Sequence, residues 1–213
     1  MKILVVGFPR SGTTLTYRIF ETHPQVEEMI FEKYILLNKQ LIKSFTPGRI
    51  CGGKVTYEKR VLGKIGKSTY NIVDYCKDWN KLFKDEARII QIIRHPFDSL
   101  NSLVVSKKRF KRGPSAVRVY KEYLKYMAGY TLNIAELDNC ITIKYEDLVM
   151  NPDKVIKKLY KHCNLNQTKF KEKMKTKRIF NYKHKDFLFE WDDRLEGVID
   201  SFNLIKGITY EKF

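Results

Sequence analysis

Residues Lys2 to Val6 form a short apolar, β-branched run, and beyond Gly12 the apolar residues Leu15, Ile19 and Phe20 recur at helical spacing. Between the two lies Gly7-Phe-Pro-Arg-Ser-Gly-Thr-Thr14. A strand that passes through a glycine-bearing loop directly into a helix aims the first N–H groups and the positive dipole end of that helix at one spot, and the spot binds anions. The Gly7 to Gly12 spacing copies a Walker A loop, but Thr13 stands where that motif requires Lys, and Arg10 supplies a cation from inside the loop. An NTPase is disfavoured on that ground. A second stretch, Gly63-Lys-Ile-Gly-Lys-Ser-Thr69, looks like a Walker A fragment but has Val61 at the wrong place and follows the charged Tyr57-Glu-Lys-Arg60. It lacks the preceding buried strand the motif needs and reads as a decoy.

The strand-helix unit repeats. Arg88-Ile-Ile-Gln-Ile-Ile93 has the character of a buried strand, and Pro96 opens a helix at its first position, where a missing N–H costs little. Cys140 to Tyr145 predicts a third strand. After it, Asn151 is placed to cap a helix with Pro152 at its start and Val155, Ile156, Leu159, Tyr160 and Cys163 along one stripe. An amphipathic stretch from Ser115 to about Leu137 separates the second and third strands. Alternation of strands and helices predicts an α/β protein: a P-loop-NTPase-like three-layer fold with a central parallel sheet flanked by helices. At 213 residues, one domain spanning 1–213 is expected.

The net charge of +17 favours anionic ligands without naming one. The cluster Lys107, Lys108, Arg109, Lys111 and Arg112 raises a basic nucleic-acid-binding module as a rival reading. Cys51, Cys76, Cys140 and Cys163 have neither metal-knuckle nor disulfide-framework spacing, and no run approaches a membrane span. A strand at the first residues leaves no room for a signal peptide, so a cytoplasmic protein with reduced thiols is expected.

Pro9-Arg-Ser-Gly-Thr-Thr-Leu15 resembles the 5′-phosphosulfate loop of sulfotransferases that use 3′-phosphoadenosine-5′-phosphosulfate (PAPS), in the Arg-bearing version of tyrosylprotein and many microbial members. Arg94-His-Pro-Phe-Asp-Ser-Leu-Asn-Ser102 resembles the 3′-phosphate site of the same family, and Tyr145-Glu-Asp-Leu-Val-Met-Asn-Pro152 is similar to its late strand-helix unit, whose role there is mostly structural. The resemblance spans residues 1 to about 165, and the R-K-G-x-x-G-D-W segment of the cytosolic aryl branch is absent.

The resemblance implies a sulfotransferase that takes PAPS as donor, releases 3′-phosphoadenosine-5′-phosphate (PAP) and needs no metal. It implies donor contacts from Pro9, Arg10, Ser11, Gly12, Thr13 and Thr14 at one end and from Arg94 and Ser102 at the other. In the Arg-bearing branch the general base is a Glu beyond a His-Pro pair. Here His23-Pro24 is followed by Glu27, Glu28 and Glu32, of which Glu32 is the first choice and Glu28 the second. Lys54 resembles a family Lys facing the reaction centre, His23 is expected to close the first helix, and His95 is expected to be a turn residue. The resemblance leaves the acceptor open among carbohydrate, small molecule, lipid and peptide, makes long nucleic acid an unexpected partner, and leaves the oligomeric state open.

Overall fold

The computed structural model describes residues 1–31, 48–56, 72–99, 102, 128–171 and 193–211. Five strands, β1 (Lys2–Gly7), β2 (Glu28–Ile30), β3 (Cys51–Thr56), β4 (Ala87–Ile93) and β5 (Cys140–Lys144), pair in the order β2-β3-β1-β4-β5. Every pairing is parallel. The described helices are α1 (Thr13–Glu21), α2 (Ile72–Phe83), α3 (Tyr145–Met150), α4 (Pro152–His162) and α5 (Asp193–Asn203). Residues 96–99 and 128–135 are helical as well.

Side chains alternate across a strand, and on β1 the alternation separates two cores. Ile3 and Val5, with Ile90 and Ile92 of β4, pack under Ile19 and Phe20 of α1 and Leu148, Ile156 and Leu159 of α3 and α4. Leu4 and Val6, with Ile89 and Ile93, pack on the other face against Val73 and Trp79 of α2 and Ile199 and Phe202 of α5. A sheet buried on both faces explains why β1 and β4 read as continuous apolar runs. In the middle of β4, Gln91 is fully buried but satisfied: its amide donates to Thr131 O at 3.0 Å, and Thr142 Oγ1 donates to its Oε1 at 2.7 Å.

The strands expected at Lys2, Arg88 and Cys140 are present to within a residue, with Tyr145 beginning α3 instead of ending β5. Asn151 holds the N-cap position of α4, but its side chain makes no capping hydrogen bond. Glu28 begins the edge strand β2, and Glu27 immediately precedes it. The second glycine-rich stretch (63–69), the basic cluster at 107–112 and the start of the amphipathic stretch at 115–127 lie outside the described residues. Among the described residues no helix is long and apolar enough to cross a membrane.

Candidate active site

β1 and β4 are neighbours in register, Gly7 beside Ile92, so the loop after β1 and the turn after β4 emerge side by side at the carboxyl end of the sheet. Loops at that end are where open parallel sheets bind ligands. The two segments interlock. Arg94 Nη1 donates to Arg10 O at 3.2 Å, and Arg10 Nε donates to Ser102 Oγ at 3.2 Å. The Arg–Ser pair expected eight residues apart is thereby joined to the loop 84 residues upstream.

The loop is shaped by two residues with positive φ, Arg10 at 71° and Gly12 at 105°. Arg10 pays for the left-handed backbone that glycine adopts freely, a form of strain common at functional loops. Gly12 has no alternative: a Cβ there would run into the Tyr145 ring and press on Ile92. Ser11 is buried, its N–H and hydroxyl both donating to Phe8 O at 3.2 and 2.8 Å. Its side chain therefore closes the loop from within, beside the buried Pro9. No side chain caps α1, so the amides of its first turn face the loop mouth, with Thr13 buried and Thr14 exposed.

Lys54 reaches the same place from β3. It is 3% exposed, and its Nζ donates to Thr14 Oγ1 at 3.0 Å while lying 4.1 Å from the centroid of the Phe31 ring. Phe31 is half exposed and meets Tyr17 edge-on at 5.4 Å. Glu32 lies outside the described residues. Glu28 pairs with Cys51 and so stands level with Lys2, at the amino end of the sheet. Three residues of strand separate Cys51 from Lys54, roughly 10 Å. Glu27, beside Glu28, is engaged with Arg49 at 3.2 Å.

On the other side of the loop, the Arg94 guanidinium is 4.8 Å from the Tyr145 ring centroid and 3.7 Å from Asp98 Oδ2. Both charges are buried, which favours a fixed geometry over a mobile ion pair. His95 is fully buried, and burial lowers its pKa to about 3, with a hydrogen bond to the Glu211 backbone opposing the shift and the nearby Lys144 and Arg94 adding to it. It is neutral at physiological pH. His23 is also buried: Nδ1 accepts from Gln25 N at 3.2 Å, which leaves Nε2 to donate to Asn166 O at 3.0 Å. Both ring nitrogens are thus used in holding the end of α1.

Glu146 was not among the expected site residues, because Tyr145 to Pro152 reads as scaffold. It is 2% exposed, and its Oε1 accepts the His95 N–H at 2.9 Å. A carboxylate so buried, two residues into a helix, is unusual enough in sequence only when its burial is known.

The family model described as the sulfotransferase family matches residues 54–169, more than half of the chain. The chain belongs to the sulfotransferase family. The matched region takes in Lys54, Arg94, Ser102 and Glu146, while the loop at 7–14 precedes it. This sulfotransferase is similar in structure to the sulfotransferase domain from the curacin biosynthetic pathway, with a TM-score of 0.63 at 14% identity over 94% of this chain and 96% of that one. It is also similar to mouse sulfotransferase SULT7A1 complexed with PAP, with a TM-score of 0.54 at 18% identity over 79% of this chain and 60% of the mouse chain. A sulfotransferase from Alicyclobacillus acidocaldarius gives 0.56 at 11% identity over 93% and 92%. At these identities the likeness carries the fold, and the three-layer α/β architecture is the one shared. No curated protein matches the sequence.

Proposed function

We propose that this sulfotransferase moves the sulfuryl group of PAPS onto an acceptor hydroxyl or amine by in-line displacement, working in the manner of the Arg-bearing branch as one domain over residues 1–213. The observation that carries the reading is the interlock at Arg10: its carbonyl receives Arg94 and its guanidinium reaches Ser102. Two anion-binding elements on adjacent strands are spaced to take two phosphate groups of one nucleotide. The PAP complex of the mouse relative supports the same choice of donor. A core that runs from Leu4 to Tyr210 supports the single domain.

In the reaction the acceptor oxygen or nitrogen attacks sulfur, the bond from sulfur to the bridging oxygen breaks, and the electron pair leaves with PAP. Arg10, the α1 amides and the Thr13 and Thr14 hydroxyls answer the charge that grows on the leaving phosphate. Lys54 meets the bridging oxygen in this reading, which its contacts with Thr14 and Phe31 beside the loop support. The acceptor proton goes to a carboxylate base. Phe31, the residue that precedes Glu32 in sequence, packs against Lys54, whereas Glu28 stands at the far end of the sheet with Glu27 next to it. That supports Glu32 as the base.

Transfer of label from PAPS to a mixed acceptor panel tests the activity, and thermal-shift titration with PAP and adenosine 5′-monophosphate (AMP) tests the donor site. PAP is expected to stabilise the protein far more than AMP, and Arg94→Ala to erase most of the difference. Glu32→Gln is expected to keep PAP affinity and lose about 10²–10⁴ in rate. An Arg94→Ala protein that discriminates like the parent overturns the 3′-phosphate assignment.

A further inference from the structure

The C-terminal segment lies beyond the matched family region, yet it is bound to the turn that carries Arg94. Asn203 at the end of α5 pairs with the Tyr210 backbone, donating to Tyr210 O at 3.0 Å and accepting from Tyr210 N at 2.7 Å. Lys144 Nζ donates to Thr209 O at 2.8 Å and lies 4.6 Å from the Tyr210 ring. The Tyr210 ring meets His95 edge-on at 5.4 Å and is buried. Its hydroxyl donates to Glu146 Oε2 at 3.1 Å.

Glu146 is thus shared between two segments: one oxygen holds Tyr210, and the other holds the N–H of the peptide that joins Arg94 to His95. We infer that Glu146 and Tyr210 form a positioning clamp that sets the direction in which Arg94 leaves β4, and so sets how tightly the protein grips the 3′-phosphate of its donor. The inference rests on the reading of Arg94 and Ser102 as the 3′-phosphate site. Neither clamp residue needs to touch the nucleotide. Arg94 is held by Asp98 and Tyr145 at its tip and by the clamp at its backbone. Removing the carboxylate strands a buried N–H and a buried phenol, and the turn shifts to satisfy them. Glutamine can replace both contacts, because its amide oxygen accepts from His95 and its NH₂ donates to the Tyr210 hydroxyl.

The test is the ratio of AMP to PAP dissociation constants for the parent, Arg94→Ala, Glu146→Ala, Glu146→Gln and Tyr210→Phe, with the unliganded melting temperature of each. Glu146→Ala is expected to cut the ratio roughly tenfold and Tyr210→Phe about threefold, with Glu146→Gln restoring it to within about twofold of the parent. Should Glu146→Ala fail to fold, Tyr210→Phe decides. If Arg94→Ala loses the preference for PAP while Tyr210→Phe and Glu146→Ala keep the parent's ratio and only melt earlier, the clamp is scaffold alone and the inference fails. If Arg94→Ala keeps the preference, the 3′-phosphate reading fails and the clamp falls with it.

Discussion

Arg10 does two jobs that pull its backbone and side chain toward different substitutions. Its φ of 71° would suit glycine, yet its guanidinium reaches Ser102. Glycine at this position relieves a backbone cost of roughly 1–2 kcal/mol, while alanine keeps the cost and removes the cation. Arg10→Gly should therefore melt above Arg10→Ala, and both should lower single-turnover sulfuryl transfer by a larger factor than they weaken PAP binding. Arg10→Lys should recover part of the rate, since it returns the charge without the planar fork. Equal losses in rate and affinity for Arg10→Ala would make Arg10 a donor-binding residue only. Ser11 behaves differently: both of its donors are spent on Phe8 O, so Ser11→Ala should cost stability, about 1 kcal/mol, before it costs donor affinity.

Among the elements, α1 and α4 begin in contrasting ways. The start of α1 is left open, with Gly12 in the left-handed region under the Tyr145 ring. Gly12→Ala adds the left-handed penalty and also forces the ring aside, moving a residue that packs on Arg94. It is expected to weaken PAP and AMP together, because the loop and the Arg94 turn are disturbed at once. Helix α4 starts at Asn151-Pro152 without a side-chain cap. Asn151→Ala should accordingly lower stability by less than about 0.5 kcal/mol, short of the ~1 kcal/mol that a working cap contributes. Thermal-shift titration with PAP and AMP reads the first, and chemical denaturation with a two-state fit reads the second.

At the scale of the whole molecule, burying neutral histidine in the interface between the sheet and the C-terminal segment couples stability to pH. His95 has its pKa lowered to about 3 in the fold, and burial lowers that of His162 as well. These histidines then bind more protons in the unfolded chain than in the fold below about pH 6.5, so their contribution to stability falls as the pH drops from there, for His95 toward 3 and by up to about 1.4 kcal/mol per unit. Glu146 acts in the opposite sense, since burial raises its pKa and protonation favours the fold. Melting temperatures between pH 7.5 and 4.5 should decline for the parent, and His95→Gln should flatten the decline. An unchanged slope in that variant would show that His95 does not titrate on unfolding. The local units of this fold were legible without coordinates: the apolar runs of β1 and β4, the glycine-bearing loop, Pro96 and Pro152 at helix starts and the stripe of α4 are each written within a few residues. So was the family, through two short motifs. Edge strand β2 was missed, because Glu-Met-Ile has no periodicity of its own and is a strand only through its pairing with β3. The meeting of Arg10 with Ser102, of Lys54 with Thr14 and of Glu146 with Tyr210 was decided by tertiary structure alone. Those contacts join segments 40 to 92 residues apart, and the order of the strands, set by which faces bury against which helices, is what brings them together.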